Sequence, residues 1–327
     1  MDDIRPALPK ESNRFVSLFR KSICDRGLSY ATEKTYLHWV LRYIRFHQRR
    51  HPRELGSEHI SLFLSDLAVQ RHCSVGTQRT ALNALVFLYK HHLGIELPKI
   101  RFRYARRPRR MPTVFSHNEA LAVIQQLDGV DKLIARILYG SGLRINEALR
   151  LRVKDLDFSS LQITVRDGKG GSERFTLLAR SLVDDLQAQI GKALKLHDYD
   201  LSCGYGEVYL PDALARKYPS AATNPEWQFL FPAATIGVDP QTGVLRRHHR
   251  HYSAFHKALR PAIRRAGIHR RAGSHTFRHS FATRLIETGY DIKLVQSLLG
   301  HGDIRTTEIY LHVVRNRAGA IVSPVDS

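Results

Sequence analysis

Cysteine is scarce in this chain: three in 327 residues, at Cys24, Cys73 and Cys203, odd in number and far apart. That excludes a disulfide framework and a thiolate metal site, and points to reduced thiols in a cytoplasmic protein. Acids are also few, 30 Asp and Glu against 51 Lys and Arg, for a formal charge of +21. An excess of that size calls for a polyanion, and nucleic acid is the commonest one. No apolar run approaches the ~18 residues of a spanning helix. The opening MDDIRPALPKESNRF is polar and proline-containing, unlike a signal peptide, so no membrane partner is expected. HExxH and CxxC are both missing, and neither a metal nor another cofactor is expected.

What is present is enough apolar material, 43% of residues, for the cores of two domains. Residues 1–97 read as helical throughout. NRFVSLFRKSIC, TEKTYLHWVLRYIRFH, SEHISLFLSDLAVQR and SVGTQRTALNALVFLYKHHLG each carry apolar residues at three- to four-residue spacing, and Gly94 closes the last. Residues 98–112 form a basic linker: from Lys99 to Arg110 there are seven Lys or Arg and no acid. A plain linker needs no such charge. A strap along a phosphate backbone does, through Arg101, Arg103, Arg106, Arg107, Arg109 and Arg110. From Thr113 onward helical patterns alternate with LQITVRDGKGGSERFTLL, two strands joined by the turn DGKGGS. The expected fold class is therefore mainly α with a small β-sheet: a helical N-terminal domain, then a mixed α/β domain.

Three segments of the second domain hold polar groups where a helical core asks for none. SGLRINEALRL places Arg144 at a helix start, where it could simply pair with Glu147. DGKGGS presents Lys169 between glycines. LLGHGDIRTTEIYLH sets His301 after a glycine-ended helix and Tyr310 on the next. A fourth segment, SHTFRHSFATRL, reads as an amphipathic helix capped by Ser274, with His275 and Arg278 on one face of its first turn. Paired guanidiniums suit a phosphate. Lysine can protonate a leaving oxygen, histidine can shuttle protons, and tyrosine can act as a nucleophile.

These segments, in this order, resemble the tyrosine recombinase (phage integrase) family, and the resemblance extends over nearly the whole chain. It implies a SAM-like core-binding domain in residues 1–97, a linker in 98–112 and a catalytic domain in 113–327. It implies Arg144 and Arg278 as the phosphate-binding arginines, Lys169 as general acid and His275 as the proton-handling residue. His301 would be the second histidine on the phosphate and Tyr310 the nucleophile, forming a 3′-phosphotyrosyl link to DNA without metal or ATP.

A finer resemblance lies in the extra stretch of about 195–232, with ALARKYP and EWQFLFP, and in VDPQTGVLRRHHRHY. Both are similar to integron integrases, which recombine gene cassettes at attC sites folded from one strand and at duplex attI sites. By that resemblance Trp227, Pro240, His248 and His249 would hold bases flipped from the hairpin, although Trp227 also fits a core position and RRHHRHY an ordinary solvated basic face. Four protomers around two sites, in the cytoplasm at a bacterial nucleoid, are implied. The alternatives are a recombinase confined to duplex sites, as for phage or chromosome-dimer resolution, and a non-catalytic DNA-binding protein.

Overall fold

Helical spacing in the first hundred residues becomes four helices: α1 (Phe15–Asp25), α2 (Tyr30–Phe46), α3 (Ser57–Val69) and α4 (Val75–Val86). The structure, a computed structural model, describes residues 4–8, 14–106, 111–166, 173–210 and 212–317, and it divides near residue 110 into two compact units. Helix α2 is capped by Ser29 and α4 by Ser74, whose hydroxyls accept from Thr32 N and Thr77 N. Helix α4 runs on into a wider π-type turn, Phe87–Leu93, which stops at Gly94 with φ 68°, a left-handed conformation that glycine adopts without strain.

The four apolar stripes meet on a core that includes Phe19, Trp39, Tyr43, Phe63, Leu64 and Tyr89. Its buried hydroxyls are satisfied in series: Tyr43 donates to Tyr89 at 2.9 Å, and Tyr89 donates to the carbonyls of Pro52 and Leu55.

The basic segment is less free than its composition suggests. Buried Gln78 on α4 donates to the carbonyls of Leu64 and Arg103 and accepts from the Ala105 amide at 3.0 Å. Ser65 accepts from the Arg103 amide. Phe102 and Ala105 turn inward, while Arg101, Arg103, Tyr104 and Arg106 are exposed. Arg107, Arg109 and Arg110 lie outside the described residues.

The second unit has helices on both sides of a small antiparallel sheet in sequence. Helices α5 (His117–Gln125), α6 (Gly129–Ser141) and α7 (Ile145–Leu149) precede strands β1 (Leu156–Asp157), β2 (Gln162–Arg166) and β3 (Glu173–Leu177), in sheet order β1-β2-β3. In register, Arg166 faces Glu173 across β2 and β3. Lys169 falls between β2 and β3 in sequence, outside the described residues. Helices α8 (Val183–Ser202) and α9 (Asp212–Lys217), the hairpin of β4 (Gly237–Val238) and β5 (Leu245–Arg246), and α10 (Tyr252–Arg265) follow. The chain closes with α11 (Ser274–Glu287), α12 (Ile292–Leu299) and α13 (Arg305–Arg317). Leu138, Leu149, Ile163, Phe231, Phe255 and Phe277 are among the residues of one core under these elements. Among the described residues, no helix is long and apolar enough to cross a membrane.

One local expectation is corrected. Ser274 does not cap α11: it is the first helical residue, with its buried hydroxyl turned to His256 Nε2 at 3.0 Å, and Gly273 takes the cap position. The Gly273 amide donates to Thr276 Oγ1 instead. Helix α8 runs to Ser202, past its apolar residues, because its inner stripe is carried on by polar ones. His197 bonds the Thr223 carbonyl, and Asp200 receives a two-point bond from Arg247 at 2.6 and 2.7 Å.

Replacing Gln78 with Leu leaves two carbonyls and one amide of the strap and α3 without their partner. We expect the N-terminal unit to lose about 2–3 kcal/mol of stability, read from urea denaturation, and the strap to become susceptible to proteolysis. Unchanged stability and protease resistance would show that the strap is not anchored there.

Candidate active site

Helix α6 ends at Gly142, φ 65°, where an added Cβ would lie 2.3 Å from the Phe281 ring. Only glycine fits this corner, and the corner aims two groups. It exposes the Gly142 carbonyl, and it starts α7 at Arg144, the residue before Ile145. The Glu147 side chain returns to accept from the Arg144 amide at 2.8 Å, one half of a capping box.

Glu147 then gathers cations. Arg144 Nη1 reaches Oε1 at 2.6 Å, Arg174 from β3 donates to both oxygens at 3.1 and 2.7 Å, and Arg278 Nη1 lies 3.7 Å away. Burial by itself would raise the Glu147 carboxyl. The hydrogen bonds from Arg174 and the Arg144 amide, with the charge of Arg174 and the Arg144 side-chain hydrogen bond, outweigh it and hold the group below its ordinary value.

Arg278, only 3% exposed, sits one turn into α11. Its Nη1 donates to Gly142 O at 2.7 Å and its Nη2 to Leu299 O at 2.6 Å. Burial first, then the neighbouring charge of Arg144, lowers its guanidinium to about 10, so it remains cationic at neutral pH. His275, in the same first turn, keeps an exposed surface; partial desolvation of its ring, then the charges of Arg278 and Arg144, depress it.

Helix α12 ends at Gly300, φ 64°, packed against the Arg174 side chain. The next residue, His301, is held by its backbone to Gln296 and by Nδ1 to Thr307 Oγ1 at 2.9 Å. Its ring stacks beside that of Tyr310 on α13, centroids 6.4 Å apart. Tyr310 is 2% exposed, packed with Phe281, Val295 and Leu299, and its hydroxyl meets His279 Nδ1 at 2.8 Å. Burial raises the phenol, with Arg278 and Arg144 opposing. Five residues expected from sequence, Arg144, His275, Arg278, His301 and Tyr310, thus converge from α7, α11, the α12–α13 turn and α13.

A phage integrase family model matches residues 113–317, and a model of the phage integrase N-terminal SAM-like domain matches residues 15–99. The chain is a tyrosine recombinase of the phage integrase family. The recombinase is 44% identical over 323 residues to an integrase/recombinase of Escherichia coli, covering 98% of this chain and 96% of that protein. It is 26% identical over 309 residues to tyrosine recombinase XerA of Thermococcus kodakarensis, covering 93% and 92%. Among solved structures, XerH site-specific recombinase bound to a palindromic difH substrate shares its fold with a TM-score of 0.60 at 19% identity, over 96% of this chain and 89% of that one.

Three of the residues expected to hold bases, Trp227, His248 and His249, form a separate group around Phe229 in the recombinase, and Pro240 does not join them. Trp227 ends a short 3-10 turn, with Lys154 Nζ 2.7 Å from its ring centre. His248 and His249 are buried, each 5.3 Å from the Phe229 ring. The segment RRHHRHY is therefore no solvated face: Arg247 holds Asp200 and Arg250 holds Asp131. Pro240 lies in the turn of the β4–β5 hairpin. Arg152, unremarked in the sequence, braces this group within its unit through the carbonyls of Trp227 and Tyr209.

Sequence reasoning also left out Arg174 and His279. Arg174 gave no signal beyond its place in a strand. His279 did, standing next to Arg278 and four residues from His275, on one face of a helix.

Burial, then neighbouring positive charge, lowers His279 and His301 from 6.5 to about 4 each. A histidine depressed by folding stabilises fully above its unfolded value, and that stability is lost as pH falls towards the folded one. The melting temperature of the recombinase should therefore decline as pH drops from about 6.5 towards 4. His301→Asn should flatten part of that decline, measured by calorimetry. The carboxylates Glu119 and Glu147, also depressed, add their losses only below about pH 4.5. A profile equally steep in the variant would remove His301 from the account.

Proposed function

We propose that this recombinase breaks and rejoins DNA with Tyr310 as nucleophile, at sites of the integron type. The observation that carries the chemistry is the convergence of Arg144, Arg278, His275 and His301 on the Tyr310 side of α11. The phenol oxygen attacks a phosphorus, the bond to the 5′ oxygen breaks, and a 3′-phosphotyrosyl DNA remains. The two guanidiniums face the charge that grows on the equatorial oxygens, where fixed donors count for most. Their present partner, Glu147, holds them assembled beforehand. His301 supplies a further donor to the same oxygens, and His275, at the exposed start of α11, is the proton-handling residue beside them. Lys169, between β2 and β3 in sequence, protonates the leaving 5′ oxygen. The ester energy is kept in the phosphotyrosine, so resealing needs neither ATP nor metal. DNA is the partner on this reading, and a homotetramer spanning two sites performs the exchange.

The integron assignment rests on residues 195–232 and on the group around Phe229. The Asp200–Arg247 pair and Arg152 brace that stretch into a firm platform. Trp227, His248 and His249 gathered on it suit unpaired bases, since aromatic faces stack on any base at about 1–3 kcal/mol each. Such a platform reads a folded attC hairpin by its protruding bases. A duplex-only recombinase is the second reading, favoured by the burial of His248 and His249 behind Phe229.

One experiment addresses both levels. Randomised labelled oligonucleotides, offered separately as duplexes and as single-stranded hairpins, are incubated with the protein, and covalent adducts are captured and sequenced. We expect adducts from both pools, with the hairpins enriched for extrahelical bases, and none with Tyr310→Phe. Adducts from duplexes alone select the second reading. An adduct surviving in Tyr310→Phe, or no adduct from wild-type protein, removes Tyr310 as the nucleophile.

A further inference from the structure

A phenol that attacks phosphorus must lose its proton as the new bond forms, and the site supplies several imidazoles to take it. They are not placed alike. His275 is exposed in the first turn of α11. His301 has Nδ1 engaged by Thr307, and its ring stacks alongside that of Tyr310. His279, one turn beyond His275, has Nδ1 2.8 Å from the Tyr310 hydroxyl. Among the described residues, this is the hydrogen bond joining a titratable side chain to the phenol oxygen.

We propose that His279 is the general base that accepts the Tyr310 proton during cleavage and returns it during resealing. The proposal rests on Tyr310 as the nucleophile. In the neutral imidazole the hydrogen sits on Nε2 and leaves Nδ1 as acceptor. As the phenol O–H bond breaks, the proton moves to Nδ1 and the oxygen's electron pair forms the bond to phosphorus. The phosphorus–O5′ bond breaks in the same step, and O5′ takes a proton from Lys169. In resealing, the 5′ hydroxyl returns its proton to the Lys169 amine as its oxygen attacks phosphorus, the bond to the phenolate breaks, and the phenolate recovers its proton from the His279 imidazolium.

The surroundings make this base conditional. His279 is faced by His275 and Arg278 from its own helix, by Tyr310 from α13 and by His301 from the α12–α13 turn. Arg144 and Glu147 on α7 and Arg174 on β3 complete the charged neighbourhood. Tyr139 approaches from α6, while Glu119 of α5 is turned to Arg270. Burial first, then His275 and Arg278, leaves His279 a weak base in the free protein. A phosphate anion seated on Arg278 offsets that positive charge and raises the basicity of His279. Proton uptake is thereby tied to the presence of the scissile group.

The test uses full-length protein at saturating concentration and an oligonucleotide captured by the wild type. Adduct formation is followed in single turnover across pH for wild type and His279→Asn. The Asn oxygen can accept the phenol's hydrogen bond but cannot take its proton. General-base loss predicts a rate about 100-fold lower near neutrality, climbing steeply with pH as hydroxide substitutes, against a shallow wild-type profile. Parallel profiles, however slow the variant, mean that His279 only shapes the site and overturn the proposal. An independent reading comes from nitrogen NMR of the unmodified protein, which needs neither a folded variant nor DNA. His279 Nδ1 should show the shift of an unprotonated acceptor, and a protonated Nδ1 overturns the proposal directly. Persistence of the adduct in Tyr310→Phe is a different failure, that of the nucleophile itself.

Discussion

The carboxylate of Glu147 is the constraint on which the catalytic unit depends. Arg144, Arg174 and Arg278 arrive from a helix start, a strand and another helix, and without a counter-charge their mutual repulsion would spread the elements that bear them. In a partly buried setting one anion among three cations is worth more than the same pairings on the surface. It is also an acceptor that a phosphate can resemble, so on the proposed function the donors are already turned to a tetrahedral oxyanion's neighbourhood before DNA arrives. Preorganisation of this kind removes reorganisation from the barrier.

The helices of both units were legible because apolar residues at three- to four-residue spacing need no tertiary information to be read. The β2–β3 hairpin was equally plain from its glycine turn and alternation. What escaped was whatever polar residues decide. Helix α8 runs on through His197 and Asp200, whose buried side chains find a carbonyl and an arginine that lie far off in the chain. Ser274 had the composition of a cap, yet it is covered by α10 and spends its hydroxyl on His256.

The site shows the same division. Arg144, His275, Arg278, His301 and Tyr310 stood out because charged or reactive groups interrupt apolar helices at unusual points. Arg174 and Arg152 did not, since an arginine in a strand or loop of so basic a chain carries no mark. His279 was visible beside Arg278, but its importance comes from a helix thirty residues later, and nothing local could announce that. The run RRHHRHY misled in its bland reading for a related reason: its charges are met by Asp200 and Asp131, acids distant in sequence.

Arg278 grips the carbonyls of Gly142 and Leu299 with the guanidinium that is proposed to meet the phosphate. A lysine, with one compact ammonium, could not span both. On that proposal, architecture and reactivity are inherited together at this position, and drift cannot discard one while keeping the other. A degenerate copy that still recognises its target would have to arise by losing the phenol; one that lost the guanidinium would forfeit its shape first.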